Sequence, residues 1–152
     1  MNFPKLESVL LKVGNELCAK YGTDVTKATE KLSKVTFDIE ANNMMYSVVL
    51  HLENYWKFVE YGTKPHRPPF NAILKWVEVK PLIRRPLANG KLPTDAQLAW
   101  MIVNKIEREG TDAQNTLQNT IQYIVDKYEE EIVNAFKEDI EDDVTKLLSI
   151  IY

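Results

Sequence analysis

The sequence predicts an α+β fold: an N-terminal helix, an antiparallel sheet based on a β-hairpin, short helices and a long C-terminal amphipathic helix. Three observations predict it. Apolar residues recur every three or four positions near both ends of the chain. Between residues 35 and 52 that period shortens to two. Prolines and glycines then punctuate the middle third. The elements read as one domain over 1–152, with 116–151 a helix that reaches a neighbour.

Leu6, Val9, Leu10, Val13, Leu17 and Tyr21 place one apolar stripe on the first helix, with Cys18 at its border and Gly22 as the expected stop. Thr23 to Ser33 is polar and reads as a loop with some helical character. Val35, Phe37 and Ile39 alternate with polar residues, Asn42-Asn43 suits a turn, and Tyr46, Val48, Leu50 and Leu52 alternate again. Two strands alone are marginal in water, so this hairpin must pack on the first helix, gain a third strand or pair with another copy. Met44 and Met45 read as core or hairpin residues.

Tyr55, Trp56, Phe58 and Tyr61 form an aromatic stretch that Gly62-Thr63 breaks. Pro65, Pro68 and Pro69 exclude helix and central strand from the next segment. A short helix follows from Phe70, with Ile73, Leu74 and Val77 inward and Trp76 beside them. Pro81, Pro86 and Asn89-Gly90 mark another loop. Thr94 and Gln97 have capping-box spacing; Leu98, Met101, Ile102 and Ile106 form the stripe of the helix they open, and Gly110 ends it. From about Thr116 the residues Leu117, Ile121, Ile124, Tyr128, Ile132, Phe136, Ile140, Val144, Leu147 and Ile151 step by three or four. At 1.5 Å per residue this helix is roughly 50 Å long. A domain of this size has a radius of gyration of about 15 Å. The end of the helix is therefore expected to project and pack on another subunit.

The 152 residues are 45% hydrophobic and 27% charged, ordinary for one soluble globular domain and inconsistent with a multidomain enzyme or a mostly disordered chain. Leu98 to Val103 is the longest apolar run, far below the ~20 residues of a membrane helix. The first residues interleave Lys5, Glu7 and Lys12 with apolar ones, which is not a secretory pattern. The single Cys18 reads as a small buried hydrophobe in a protein assembled in a reducing compartment. Net charge is −3, against general nucleic-acid binding. The charge is nevertheless segregated. Residues 57–91 hold eight basic against two acidic residues, net +6, and 107–143 hold three basic against twelve acidic, net −9. Such segregation serves solvation, or complements a second surface of opposite sign.

Catalysis requires converging titratable groups, and the sequence offers few. His51 falls in a strand and faces out of it, His66 falls in the proline loop, and Cys18 is remote from both, so no zinc spacing exists. No nucleophile elbow or phosphate-binding glycine loop occurs. Glu138, Asp139, Glu141, Asp142 and Asp143 lack the glycine and alternation of a calcium loop and read as a solvated helix face. Trp56, Trp76 and Trp100 are of the type that stacks bases, but read better as core or interface anchors. The expectation is no enzyme activity, no metal and no cofactor.

The run Tyr55-Trp56-Lys57-Phe58-Val59-Glu60-Tyr61-Gly62-Thr63-Lys64-Pro65-His66-Arg67-Pro68-Pro69 carries a family resemblance. So do Ile73-Leu74-Lys75-Trp76-Val77, the helix through Ala99 and Ile102, Ile106-Glu107-Arg108-Glu109-Gly110-Thr111, and the upstream Lys31-Leu32-Ser33-Lys34. In order and type these segments resemble the small neck proteins of tailed bacteriophages, the head–tail joining or tail-completion family. The match covers residues 5 to 120 loosely. After Gly110-Thr111 the family commonly has a proline and an aromatic pair, where this chain reads Asp112-Ala113-Gln114-Asn115.

The resemblance implies a structural virion protein in the neck or tail, assembled in the host bacterial cytoplasm, with no membrane association. It implies a homo-oligomeric ring of sixfold or twelvefold symmetry that meets portal or adaptor and tail proteins and lies near passing genome DNA. A closed ring of one chain uses heterologous interfaces. On this reading Trp56, Tyr61, Gly62, Thr63, Pro65, His66, Arg67 and Pro68 contact a subunit or neighbour protein. The three prolines stiffen the loop, and Gly62 supplies a tight turn. Lys64, Arg67, Arg84 and Arg85 face either a DNA channel or an acidic partner. Phe136, Ile140, Val144 and Leu147 make oligomer contacts on the last helix. The runner-up function is a small nucleic-acid-binding or regulatory module using basic residues 57–91, and a small hydrolase is a distant third.

Overall fold

Proline at the first helical position and Glu7 in the first turn open α1 (Pro4–Val25). This computed structural model describes residues 3–25, 34–42, 45–80 and 82–151. Of the loop expected over Thr23 to Ser33, residues 23–25 instead continue α1, carried by the buried Val25, and 26–33, including the Lys31 to Ser33 part of the resemblance, lie outside the described residues, as do Asn43, Met44, Pro81 and the side chain of Ile151. The order is α1, β1 (Thr36–Asn42), β2 (Met45–His51), α2 (Trp56–Tyr61), α3 (Phe70–Val79), α4 (Asp95–Glu109) and α5 (Thr116–Ile151). The fold is α+β. The chain divides into two compact units, one of residues 1–60 with 115–152 and one of 61–114.

In the first unit α1 buries Leu6, Leu10, Val13, Leu17, Tyr21 and Val25 along the predicted stripe. Gly22 does not end the helix. It is buried in the last turn, where Tyr21 and Val25 pack against Val35, Leu52, Tyr55, Trp56, Val59 and Leu117. That packing outweighs glycine's low helix propensity, a cost of about 1 kcal/mol. The hairpin pairs Phe37 with Leu50, Ile39 with Val48 and Asn42 with Met45. Its inner face, including Ile39, Tyr46, Val48 and Leu50, packs on α1 and its partners. Gly14 of α1 makes this approach possible: a Cβ there would stand 2.2 Å from the Phe37 ring.

The long helix α5 runs unbroken for 36 residues, about 54 Å at the usual rise. It buries Thr120, Ile124, Tyr128, Ala135 and Asp139, with Ile132 half-buried. Ile121, Phe136, Ile140, Val144 and Leu147 of the predicted stripe are exposed instead. A stripe stepping by three and four drifts around a straight helix, and α1 and the hairpin cover only one sector of it.

In the second unit α3 buries Val77, with Ile73, Leu74 and Trp76 half-buried. The capping box of α4 is present as predicted: Gln97 N–H donates to Thr94 Oγ1, and Thr94 N–H donates to the Gln97 side chain. Gly110 ends α4 at φ 77°. The buried face of α4 is carried by Ala99 and Val103, flanked by half-buried Leu98, Ile102 and Ile106. Met101, expected on this stripe, is exposed. Met101 lies two residues, about 200° around the helix, from Ala99 and so falls on the opposite side.

Candidate functional site

The segment that carries the resemblance is built around two Gly-Thr pairs. Thr63 and Thr111 form an isolated antiparallel bridge, exchanging two backbone hydrogen bonds of 3.0 Å. Their hydroxyls share a third, 2.9 Å long. The glycines before them are what allow it. Gly62 has φ 69°, and a Cβ there would lie 2.2 Å from Thr111 O; Gly110 has φ 77°, and a Cβ there would lie 2.1 Å from Thr63 O. Each glycine vacates the space that the other threonine's carbonyl occupies. The positive φ and the clash with a side chain expected at Gly62 are thus present, in a bridge and not in a tight turn, and Gly110 plays the matching role.

The loop after Thr63 is locked within its unit. His66 Nδ1–H donates to the Lys64 carbonyl at 2.9 Å, and Pro68 is buried. Arg67 donates to both carboxylate oxygens of Glu107 and lies over the Trp100 ring, 5.5 Å from its centroid. Trp100 stacks in turn on Phe70 at 4.7 Å. Arg84 donates to Asp95 and to the Pro93 carbonyl, fastening the loop before α4 to the start of that helix. Of the expected cationic set, Arg67 and Arg84 therefore have internal partners, whereas Lys64 and Arg85 are exposed with none among the described residues. Pro65, His66, Arg67 and Tyr61 are exposed, and Gly62 and Thr63 are half-buried. Trp56 packs into the first unit's core against Tyr21 and Val25.

Two buried carboxylates of the first unit carry no sequence signal. Glu60, 3% exposed, accepts from the N–H groups of Leu117 and Gln118 at 2.8 and 2.9 Å. Asp139, 2% exposed, accepts from Lys5 and Leu6 N–H at 3.2 and 2.9 Å. Each closes the free N-terminus of another helix and meets the positive end of its dipole. The reading of Glu138 to Asp143 as a wholly solvated face is therefore corrected at Asp139. Glu138 and Asp142 also pair with Lys5.

The α1–α5 seam carries a second polar cluster. Glu16 accepts from Lys127 and from the Tyr128 hydroxyl. Those hydrogen bonds hold the Glu16 carboxyl below its ordinary value and raise Lys127 to about 12. Lys12 pairs with Glu131 at 2.8 Å and lies over the Tyr128 ring. An open groove of about 710 Å³ runs along this seam, lined by Lys5, Ser8, Lys127, Glu131 and Glu138 among others. Lys5, Lys127, Glu131 and Glu138 among its charged groups are paired across the seam, so it reads as the join between helices.

His51 Nε2 is hydrogen-bonded to Asp38 on the outer face of the hairpin. Cys18 is half-buried, and burial pushes its thiol up, away from reactivity. Among the described residues, no group of three or more His, Cys, Asp or Glu is placed to hold a metal ion, and no helix is long and apolar enough to cross a membrane.

The remaining feature is exposed apolar surface. On the last third of α5, Ile140, Val144, Leu147, Leu148 and Ile150 are all exposed, and Phe136 just before it is exposed in part while its ring meets Phe3. In the second unit Val79 and Ile83 are 84% and 96% exposed, and Leu92 is 59% exposed. No recurring sequence spacing announces Ile83 or Leu92, because both lie in irregular loop. No protein family, curated protein or solved structure matches the chain.

Proposed function

We propose that this chain is a structural virion protein that assembles as a ring of identical copies in the head–tail connector or tail-completion region of a tailed phage. One observation carries the reading: α5 continues past its last buried residue, Asp139, with Ile140, Val144, Leu147 and Leu148 in solvent. An amphipathic helix that is finished with its own core yet keeps an apolar face is built for a partner. The Gly-Thr bridge supports it, since it gives the segment resembling neck proteins a fixed shape. A preformed loop docks at lower entropic cost. The ring's neighbours are portal or adaptor and tail proteins, genome DNA passes near it, and the chain performs no bond chemistry.

Light scattering and class-averaged images of the purified full chain test this. The expected result is a closed oligomer with rotational symmetry. A monomer across the accessible concentration range contradicts it.

The binding-module reading keeps one supporting observation: Lys64, Lys75, Arg85 and Lys91 are exposed with unpaired side chains among the described residues. It requires DNA affinity that falls steeply with salt. Affinity of that kind in a chain that forms no oligomer favours the module over the ring.

A further inference from the structure

We infer that the C-terminal third of α5 docks on the loop between α3 and α4 of a second copy, forming a head-to-tail interface between subunits. This rests on the ring reading and names the two surfaces that join.

The receiving surface is local and preformed. Residues 82–85 alternate between half-buried and exposed, so that Arg84 turns inward to Asp95 and Pro93 while Ile83 and Arg85 face out together. On the inner side of the loop Arg84 reaches the Pro93 carbonyl, and Leu87 N–H donates to the Lys91 carbonyl, so both arms of the loop are fixed to one another. The loop thus exposes two large apolar residues, Ile83 and Leu92, and two cations without a side-chain partner among the described residues, Arg85 and Lys91. Ile83, between Leu82 and Arg84, is 96% exposed, the more open of the two.

The donated surface has the complementary chemistry. Ile140, Val144, Leu147 and Leu148 lie at helical spacing on α5. Residues 140–151 hold three acidic against one basic group, net −2, with Asp142 also paired to Lys5, whereas the loop 82–92 holds three basic and no acidic groups, net +3, with Arg84 paired to Asp95. A second α5 in place of the loop would bring another acidic helix to the same face. Opposite potentials favour the loop as the partner and set its orientation. Because the two surfaces are different patches of one chain, each copy offers one and accepts one. Such a contact propagates until rotation closes it.

The test uses two full-length single variants at exposed positions, Leu147→Asp in the donated face and Ile83→Asp in the receiving loop. Circular dichroism establishes that each keeps the wild-type helix content. Analytical ultracentrifugation of each variant alone is expected to show loss of the wild-type oligomer. An equimolar mixture is expected to give a one-to-one pair and nothing larger, since only one intact interface can form. If Leu147→Asp dissociates the oligomer while Ile83→Asp leaves it intact, α5 docks elsewhere and the inference is overturned. An oligomer untouched by either change overturns it while the ring reading stands. A wild-type chain that stays monomeric overturns both.

Discussion

At the scale of single residues, the glycines separate positions where backbone shape decides from those where it does not. Gly62 and Gly110 combine positive φ with a carbonyl oxygen where a side chain would begin. Gly90 has φ 76° but open space around it. Replacing Gly90 with Ala should cost only the left-handed strain, about 1–2 kcal/mol. Gly62→Ala and Gly110→Ala must also break the Thr63–Thr111 bridge, and should cost about 3 kcal/mol or more. Urea unfolding of the three variants checks the order. Gly62 was legible as a position needing positive φ because it interrupts an aromatic run. Its pairing with Gly110 was not, since residues 48 positions apart in sequence meet only when the unit closes. Glu60 and Asp139 were illegible for the same reason: each caps a helix far along the chain, and a local capping motif such as Thr94 and Gln97 has no long-range counterpart. Asp139→Ala leaves two amides of α1 in a buried setting without their acceptor, and should destabilise the first unit by about 1–3 kcal/mol. A loss indistinguishable from that of an exposed-acid control such as Glu129→Ala would contradict the capping role.

At the scale of elements, periodicity located every helix longer than one or two turns and the two strands of the hairpin, because those depend on the side-chain period alone; the turn expected at Asn42-Asn43 was misplaced, since Asn42 belongs to β1 and pairs with Met45. It did less well on which face is buried. In α4 the core took Ala99 and Val103 and left Met101 in solvent. In α5 the buried line runs through Thr120, Ile124, Tyr128, Ala135 and Asp139, so a threonine, an alanine and an aspartate occupy positions that hydrophobicity would not select. The contacts also divide α5 functionally. Up to Asp142 it is tied to α1, through Phe136 on Phe3, Asp139 on the α1 N-terminus and Lys5 on Asp142. Deleting 144–152 should therefore leave the thermal midpoint nearly unchanged while abolishing the oligomer. Deleting 138–152 should lower the midpoint as well, since it removes the Asp139 cap. Equal loss of fold in both truncations would show that the last turns belong to the core.

At the scale of the whole molecule, α1 and α5 are joined by charge as well as by apolar packing, and this gives stability a pH dependence. Hydrogen bonds from Lys127 and Tyr128 lower the Glu16 carboxyl, and Lys5 lowers that of Asp142. A carboxyl lowered on folding stabilises the folded state above its unfolded value, and that contribution disappears as pH falls through the lowered folded value. The thermal midpoint should thus begin to fall below the ordinary glutamate value of 4.5. It should fall less steeply in Glu16→Gln, which already lacks the linkage; parallel curves for the two proteins would contradict this. Both groups are solvent-accessible, so the effect is screened and should shrink at high salt.

The same separation of charge that holds the seam leaves acidic surface on α5 and cations on the loop that carries Ile83, and ring assembly uses both. Imaging purified phage particles, with this chain traced in the density, tests that central claim most directly. A closed ring of copies between head and tail, with the end of each α5 resting on the next subunit, is the predicted result. Particles that lack the chain, or hold it as isolated copies with that helix face bare, would contradict the account.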